Sequence, residues 1–583
     1  MKSRVFAVAF FLGFSAWAGD ADSVCCGRLQ SCDSRLRVVS VHCIGQESAQ
    51  GCGSALNTGF FRDVQCKSPC RILVGEAVGK TRCDPWRALV IHFPEGDGID
   101  AVVSLKSVYP AEVRGAAGTM DAKANADGAI CIPLKPGETA VVSTKYAVSD
   151  ILPSMDRSKF LVGAWGGMSG KARSRRHIQW LDEAGIDFVH INRGFGPEWK
   201  ESFDFLHKHK IGAIVRSRGY WFGGSGKAAG QMRLLRPSGT FDGEIAELSM
   251  LRHPAIWMLE ISDEPSALDM EYIGEISAMA VRRNPEIPAY VNLYPNYALV
   301  ASNSDSQRLG QLGRRSYAEY IDEYCRTMPC DFICYDHYPF GGDEETVRMK
   351  NAPRMYSNLQ IVADACRRTG RSFWMIPQVN SRPRFPERLT EGHLRFQASV
   401  SMAYGCEALM WATWTHTFWT NSVLTSEGEL SGHYGNIARV NAGLHRLGTE
   451  YMRFRNVGTK LCRFPQNEAD MLFKRGVRTF PDFSCGGIHS LCTEDGSAFA
   501  AGEMVARDGN RLSCAALVVP VADMSDRQKK IRRIVFKSLG DVKVFGFDGP
   551  VVCSRDSSGR CSFELKDGHA ALVVCGRSPG DRR

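Results

Sequence analysis

Short apolar runs alternate with longer amphipathic stretches through the middle of the chain. Between residues 160 and 452 there are eight such units, and a further helical stretch at 433–452 follows them. This alternation is typical of strands of a parallel sheet that are each followed by a helix. The predicted strands lie at 160–167, 187–194, 212–221, 255–262, 287–295, 331–339, 372–380 and 407–414.

Eight strand-helix units predict a closed (β/α)8 TIM barrel, in which an active site lies at the carboxyl ends of the strands. An open doubly wound sheet is the alternative. It is less favoured because "GAWGGMSG", after the first strand, does not fit the glycine pattern of a dinucleotide-binding loop. The stretch "GGSGKAAG" at 223–230 resembles a phosphate loop but lacks its Ser or Thr, so we interpret it as a lid.

The flanking regions favour β structure. A chain of 583 residues exceeds what one hydrophobic core usually supports, so several domains are expected. We predict a Cys-rich, disulfide-bonded β domain at 19–158, the catalytic barrel at 159–455 and a C-terminal β-sandwich at 456–583. The fold class is therefore multidomain, with a central barrel between two β domains.

The first 18 residues have the features of a secretory signal peptide. Lys2 and Arg4 precede an apolar stretch, and Ala-Trp-Ala ends at Ala18. No later segment is apolar for long enough to span a membrane. We therefore expect a secreted or periplasmic protein with no membrane span.

The cysteines are unevenly distributed: nine lie before residue 135, five between 325 and 406, and seven after 460. This usage suits an oxidising compartment, with disulfides mainly in the flanking regions. The odd total of 21 leaves at least one free thiol, and Cys334 or Cys406 would serve as a small buried hydrophobe. No spacing matches a zinc site, so no metal or organic cofactor is expected.

The formal net charge of +9 is spread along the chain. Basic clusters at 171–177 and 527–533 are interpreted as solvated surface, and nucleic-acid binding is not expected. The oligomeric state cannot be inferred from the sequence.

A carboxylate at the end of the fourth predicted strand is the first candidate for chemistry. Alternation along this strand turns the apolar set of Trp257, Leu259 and Ile261 towards the helices and leaves Glu260 and Glu264 facing the barrel. Glu260 would be buried and would need a partner. Glu264 would lie in the barrel mouth, where the alternative role is that of a helix N-terminal carboxylate stabilised by the helix dipole.

The other strand ends carry aromatic rings, amides, imidazoles and guanidinium groups. Such groups suit a carbohydrate pocket, because sugar rings stack on aromatic faces and their hydroxyls need hydrogen bonds. The expected partner is therefore an oligo- or polysaccharide. The candidate substrate-binding residues are His190, Asn192, Arg218, Tyr220, Trp221, Asn292, Tyr294, Tyr335, His337, Tyr338, Gln378, Trp411 and Trp414.

The stretches "ISDEPS", "YVNLYPNY", "FICYDHYPF" and "FWMIPQ" resemble the barrel of clan-A bacterial glycoside hydrolases, close to proteins labelled beta-galactosidase or family 42-like. The resemblance covers roughly residues 160–450. It implies that Glu264 is the general acid/base of a hydrolase acting on a β-galactoside or related glycan. Asp263 stands in place of the family's Asn. Gln378 stands in place of its nucleophilic Glu, and a glutamine cannot form a glycosyl ester.

Three hypotheses address the missing nucleophile. Asp336, at the end of the sixth strand, could be the second catalytic carboxylate, with its distance from Glu264 deciding between inversion and retention. Alternatively, Asp263 and Glu264 could act together in a substrate-assisted N-acetylhexosaminidase, where the substrate's acetamido group is the nucleophile. The third hypothesis is a barrel that binds glycans without cleaving them, or a scaffold with no sugar ligand.

Overall fold

The computed structural model describes most of the chain from residue 36 to residue 576. The described ranges are 36–44, 61–66, 70–77, 86–93, 100–107, 111–115, 118–119, 129–145, 158–168, 172–194, 199–222, 229–235, 253–283, 287–301, 311–330, 332–381, 389–415, 419–507, 513–522, 524, 530–538 and 540–576. The predicted signal peptide and most of the predicted lid lie outside these ranges.

The N-terminal region forms two antiparallel sheets. One has six strands in the order β1-β3-β4-β9-β6-β7, and the other has the order β2-β5-β8. Leu89, Ile91 and Val103 are fully buried and belong to the apolar core. The strands are β1 (Leu36–Ile44), β2 (Phe61–Cys66), β3 (Cys70–Ala77), β4 (Trp86–His92), β5 (Ala101–Ser107), β6 (Ala111–Gly115), β7 (Gly118–Thr119), β8 (Ile130–Leu134) and β9 (Thr139–Lys145).

The central region is a closed barrel of eight parallel strands, as predicted. The first and last strands pair in register from Leu161 with Ala408 to Trp165 with Ala412, which closes the sheet. The strands are β10 (Leu161–Met168), β11 (Phe188–Gly194), β12 (Gly212–Phe222), β13 (Ile256–Asp263), β14 (Ala289–Leu293), β15 (Phe332–His337), β16 (Ser372–Pro377) and β17 (Cys406–Ala412).

Helices surround the barrel and follow the predicted amphipathic stretches. Ser174, Ser316 and Thr390 each begin a helix by accepting a backbone hydrogen bond with the side chain. The helices are α1 (Arg175–Glu183), α2 (Lys200–Lys208), α3 (Met232–Leu235), α4 (Met270–Arg283), α5 (Tyr317–Thr327), α6 (Glu344–Thr346), α7 (Ala352–Thr369), α8 (Glu391–Ala403) and α9 (Tyr434–Tyr451). A 3-10 helix covers Asn296–Ala301, and a π-helix, Val347–Asn351, precedes α7.

Aromatic rings fill the lower part of the barrel. Phe188 lies 5.5 Å from Trp374 and 6.2 Å from Trp257 between ring centroids. Because neither Trp lies on a strand next to that of Phe188, these contacts cross the barrel interior. The prediction that Trp257 packs on the helices is therefore wrong. An irregularity in the pairing of β12 with β13, between Ile256 and Met258, breaks the alternation at Trp257.

The C-terminal region packs two sheets face to face. One core contains Phe483 and Phe563 from the five-stranded sheet and Phe499 and Val573 from the seven-stranded sheet. The strand orders are β19-β18-β22-β23-β29-β25-β26 and β20-β21-β24-β28-β27. The elements are β18 (Phe454–Cys462), α10 (Gln466–Phe473), β19 (Thr479–Phe480), β20 (Phe483–Cys485), β21 (Ile488–Thr493), β22 (Phe499–Ala506), β23 (Ser513–Pro520), β24 (Ile531–Ser538), β25 (Asp541–Gly546), β26 (Gly549–Val551), β27 (Ser554–Arg555), β28 (Arg560–Lys566) and β29 (Ala571–Gly576).

The described cysteine side chains are all thiols. Cys334 and Cys406 are buried thiols, as predicted for small hydrophobic residues. Cys66 and Cys131, in the N-terminal sheets, are also thiols, so the part of this region that the structure describes does not show the predicted disulfides. Within the described ranges, no helix is both long and apolar enough to cross a membrane.

Candidate active site

Glu264 directly follows β13 at the mouth of the barrel. Its backbone N–H donates to the carbonyl of Asn292, the oxygen lying 2.9 Å away, and its φ is 49°. A residue with a Cβ rarely adopts this left-handed conformation, and such backbone strain clusters at functional sites. The carboxyl side chain is half-buried.

Three carboxyl groups meet around the amide of Asn292. The amide nitrogen lies 2.9 Å from a carboxylate oxygen of Asp263 and 3.2 Å from one of Asp336, and it donates to both. The side chains of Glu264 and Asp336 are hydrogen bonded to each other. A hydrogen bond between two carboxyl groups requires one of them to be protonated, because an ionised carboxylate can only accept.

Burial and mutual repulsion keep protons in this cluster. Burial raises the pKa of Asp336 to about 6, although hydrogen bonds from Asn292 and Glu264 oppose the rise. Burial, followed by the charge of Glu260, raises the pKa of Asp263 to about 7. For Glu264, burial and then the charge of Asp336 raise the pKa well above its ordinary value. The hydrogen bond between the two carboxyls raises the pKa of Glu264 and lowers that of Asp336, so Glu264 is the more readily protonated of the two.

A second layer of charged groups lies beneath this cluster. Glu260 is fully buried, with His190 Nε2 at 2.8 Å and Arg216 Nε at 2.6 Å from the same carboxylate oxygen. The expectation that Glu260 needs a partner is therefore confirmed. Trp165 stacks flat on the His190 ring at 3.7 Å between centroids. The guanidinium of Arg216 also reaches to 3.7 Å from Asp263, which links the two layers.

Aromatic side chains border the carboxyl cluster. The hydroxyl of Tyr294 is buried and makes no hydrogen bond with any side chain or backbone atom that the structure describes. The charge of Glu264 adds to burial in raising the pKa of Tyr294. Tyr338 is hydrogen bonded to Asp336 and packs edge-on against Trp419 at 4.8 Å. Trp419 lies in the loop after β17 and is not among the predicted residues, although the nearby Trp411 and Trp414 marked this stretch as rich in tryptophan.

Gln378, predicted to bind substrate, does not offer its amide to the barrel mouth. Its side chain is fully buried and accepts a hydrogen bond from the N–H of Phe340 at 3.0 Å. Its amide nitrogen donates to the carbonyls of Phe340 and Asn380, both at 2.9 Å. These bonds use both ends of the amide to fasten the loop after β15, so Gln378 has a structural role here.

Alternation also turns other predicted residues away from the site. Because Asp336 points inwards, Tyr335 points outwards, where its ring stacks on Phe373 at 5.9 Å. His337 likewise packs against a neighbouring ring, that of Tyr297, at 5.0 Å. The ring of Tyr335 thus lies away from the carboxyl cluster, and a contact of His337 with substrate stays a prediction.

The two predicted tryptophans of β17 and its end are fully buried. The indole N–H of Trp411 donates to Asn441 on α9 at 2.8 Å, so this ring faces the helix layer. Trp414 packs edge-on against Tyr434, at the start of the same helix, at 6.3 Å. Both rings serve the packing of α9 on the barrel instead of presenting a stacking face to a sugar.

Four predicted residues have side chains outside the described part of the structure. Asn192 lies in β11, and the other three, Arg218, Tyr220 and Trp221, lie in β12. The backbone of Trp221 pairs with Ser262, so β12 reaches the level of the carboxyl cluster. Among the side chains that are described, no group of three or more His, Cys, Asp or Glu residues is arranged to hold a metal ion.

No protein-family model matches the chain, and no curated protein is similar to it. Among solved structures, the chain is similar to a beta-galactosidase from Halorubrum lacusprofundi, with 9% identity over 72% of this chain and 99% of that one and a TM-score of 0.37. It is also similar to a GH30 endoxylanase from Clostridium papyrosolvens C71, with 8% identity over 72% and 96% of the two chains and a TM-score of 0.34. Likeness at this level leaves the activity to be inferred from the site itself.

Proposed function

We propose that the protein is a glycoside hydrolase that cleaves an O-glycosidic bond, with Glu264 as the proton donor. The observation that carries this proposal is the pairing of the Glu264 and Asp336 carboxyls beside the Asn292 amide at the barrel mouth, where the raised pKa of Glu264 favours its protonated form. A departing sugar oxygen needs such a proton, and a carboxyl group supplies it only if its pKa is raised towards the working pH. The half-buried position of Glu264 leaves one side accessible to substrate.

In the proposed reaction, Glu264 donates its proton to the glycosidic oxygen as the C–O bond breaks, and a water molecule bonds to the sugar carbon and returns one proton to the carboxyl pair. Asp336 is negative above its pKa of about 6, so it raises the pKa of Glu264. It also stabilises the positive charge that develops on the sugar ring. Asn292 fixes Asp336 and Asp263 through its single amide nitrogen. From the family resemblance we propose a β-galactoside or related plant or mucin glycan as substrate, and export directed by residues 1–18.

Asp336 is too close to Glu264 for the usual two-carboxylate schemes. Retaining enzymes separate the two groups by about 5–5.5 Å and inverting enzymes by about 6.5–9.5 Å, whereas these two are in direct hydrogen-bond contact. Asp336 as the attacking group would require the pair to separate when substrate enters.

The second candidate function is therefore a substrate-assisted N-acetylhexosaminidase. Asp263 favours it, because the Asn292 amide and the Arg216 guanidinium hold this carboxylate beside Glu264. In this mechanism Asp263 accepts a hydrogen bond from the N–H of the substrate's acetamido group, whose oxygen then attacks the sugar carbon. No protein nucleophile is needed, which agrees with the withdrawn position of Gln378.

The test is hydrolysis of a panel of aryl glycosides, including β-galactosides and N-acetyl-β-hexosaminides, by the mature protein and its Glu264→Gln variant. Loss of a general acid should lower kcat by about 10²–10⁴-fold for a poor leaving group. The loss should be much smaller for a dinitrophenyl glycoside, which needs no proton. The matched control is Glu271→Gln, which alters an exposed carboxylate in the first turn of α4 and should leave kcat unchanged.

The accepted sugar distinguishes the two mechanisms. Turnover restricted to N-acetylhexosaminides, abolished in Asp263→Ala, supports substrate assistance. Turnover of β-galactosides with loss in Asp336→Ala supports Asp336 as the second carboxylate. If the wild type cleaves no sugar while glycan binding persists in it and in Glu264→Gln, the hydrolase proposal is wrong and the barrel is a glycan-binding module.

A further inference from the structure

Two cysteines face each other in the C-terminal region. Cys514 on β23 is paired in register with Cys575 on β29, the neighbouring antiparallel strand. Residues directly opposite each other on such strands have Cα atoms about 4.5–5.5 Å apart, and a disulfide spans about 4.4–6.8 Å between Cα atoms. Cys514 Sγ lies 4.0 Å from the carbonyl oxygen of Cys575, and each thiol shifts the pKa of the other. The backbone therefore already has the spacing that a disulfide requires.

Glycines of the β20–β21 turn make room for the two sulfur atoms. A Cβ on Gly486 would lie 2.7 Å from Cys514 Sγ, and one on Gly487 would lie 3.0 Å from Cys575 Sγ. Both distances are too short for a side chain to fit unless the sulfur atoms move. A residue larger than glycine in this turn would thus push on the sulfur pair.

The surroundings also favour the thiolate that starts disulfide chemistry. The N–H of Gly487 donates to Cys514 Sγ at 3.2 Å, and the hydroxyl of Ser538 lies 3.0 Å from Cys575 Sγ. Hydrogen bonds from Cys514 and then Ser538 lower the pKa of Cys575 to about 6. Because the thiolate is the reactive form of cysteine, Cys575 is suited to be the attacking sulfur.

We propose that Cys514 and Cys575 are joined by a disulfide in the exported protein, with the active disulfide of a thiol oxidoreductase as oxidant. The Cys575 thiolate attacks one sulfur of the oxidant, which forms a mixed disulfide and releases the oxidant's other sulfur as a thiolate. Cys514 then loses its proton and attacks the Cys575 sulfur, which releases the second thiolate. The protein loses two electrons and two protons, and the oxidant is reduced to a dithiol.

This bond would fasten two central strands of the larger C-terminal sheet. β23 and β29 are neighbours in the middle of that sheet. Phe547, in the turn that follows β25 on the far side of β29, accepts a hydrogen bond from Arg446 on α9 at 2.8 Å. The disulfide would close a loop of 61 residues that includes this turn, and closing a long loop stabilises by restricting the unfolded chain. It would thereby hold the surface on which α9 packs.

The test is mass spectrometry of the full chain produced by export into an oxidising compartment, with free thiols alkylated in denaturant before any reduction. We expect a linked peptide pair containing Cys514 and Cys575, which reduction separates with a gain of two hydrogen atoms. Recovery of both cysteines alkylated without reduction would overturn the proposal. So would a link from either residue to Cys485, the buried thiol beside the pair.

The control variants do not depend on activity. Cys485→Ala should leave the linked pair intact, whereas Cys514→Ala should leave Cys575 available to alkylation. If Cys514→Ala fails to fold, the wild-type peptide map still decides the proposal. The thermal midpoint of the wild type should fall when a reductant is added. The Cys514→Ala variant cannot form this disulfide, so a reductant should not lower its midpoint by the same amount.

Discussion

Asp336→Asn is expected to stabilise the folded protein at neutral and alkaline pH while removing activity. Asp336 is only 4% exposed, and burial raises its pKa from 3.8 to about 6. This rise is about two pKa units, and at 1.36 kcal/mol per unit the ionised carboxylate destabilises the folded state by up to about 3 kcal/mol. Asparagine has almost the same shape and retains an oxygen that can accept from Asn292.

The size of the stabilisation by Asp336→Asn depends on pH. Below about pH 4 the carboxyl of Asp336 is protonated in both the folded and the unfolded chain, so Asp336→Asn should change the free energy of unfolding little. As pH rises from about 4 to about 6, the unfolded chain ionises first, and the wild type loses stability relative to the variant. Above pH 6 the full difference should be present.

The assay is denaturant unfolding of wild type and Asp336→Asn at pH 4 and pH 8, followed by a probe of the barrel. The matched control is Asp343→Asn, because the Asp343 carboxylate is exposed and hydrogen bonds from Thr346 lower its pKa. The control should give no gain at pH 8. Equal effects of Asp336→Asn at the two pH values, or a loss of stability at pH 8, would refute the conclusion that the buried, ionised Asp336 lowers the free energy of unfolding.

Three further predictions test the layers around the site. Arg216→Met should destabilise the barrel by about 3–5 kcal/mol, because it leaves buried carboxylates without a compensating charge. The control Arg233→Met breaks a largely exposed ion pair and should destabilise by no more than about 1 kcal/mol. Denaturant unfolding curves of the two variants test this difference. Gln378→Glu should lower the thermal midpoint and should not increase hydrolysis, since it removes two donated hydrogen bonds. Gly212→Ala should destabilise by about 1–3 kcal/mol in the same unfolding assay, because its Cβ would lie 1.9 Å from the Trp257 ring.

The barrel could be predicted from the sequence because its signals are local. Each strand is a short apolar run, and each predicted strand agrees with an observed one to within a few residues, as 212–221 does with Gly212–Phe222. The closing helix was predicted at 433–452 and observed at Tyr434–Tyr451. Apolar periodicity and run length depend only on residues close together in the chain, so they can be interpreted without knowledge of the fold.

The direction of side chains at the strand ends could not be predicted in the same way. Alternation of inward and outward positions fails wherever one strand gains a residue relative to its neighbour, as at Trp257. Gln378 depends on a non-local feature, because the backbone groups that occupy its amide belong to the loop at Phe340, 38 residues earlier. A pattern within one segment contains no information on such partners.

The two roles considered for Glu264, proton donor and helix N-terminal carboxylate, require opposite shifts of its pKa. A carboxylate stabilised by a helix dipole would have a lowered pKa and would lie in the first turn. Glu264 instead precedes the first residue of α4, Met270, by six positions, and burial and the charges of Asp336 and Asp263 raise its pKa. The strained backbone holds this protonated group beside a second carboxylate. This arrangement destabilises the folded protein, and it prepares Glu264 to donate its proton. The Asp336→Asn variant tests both statements, because it should gain stability and lose activity.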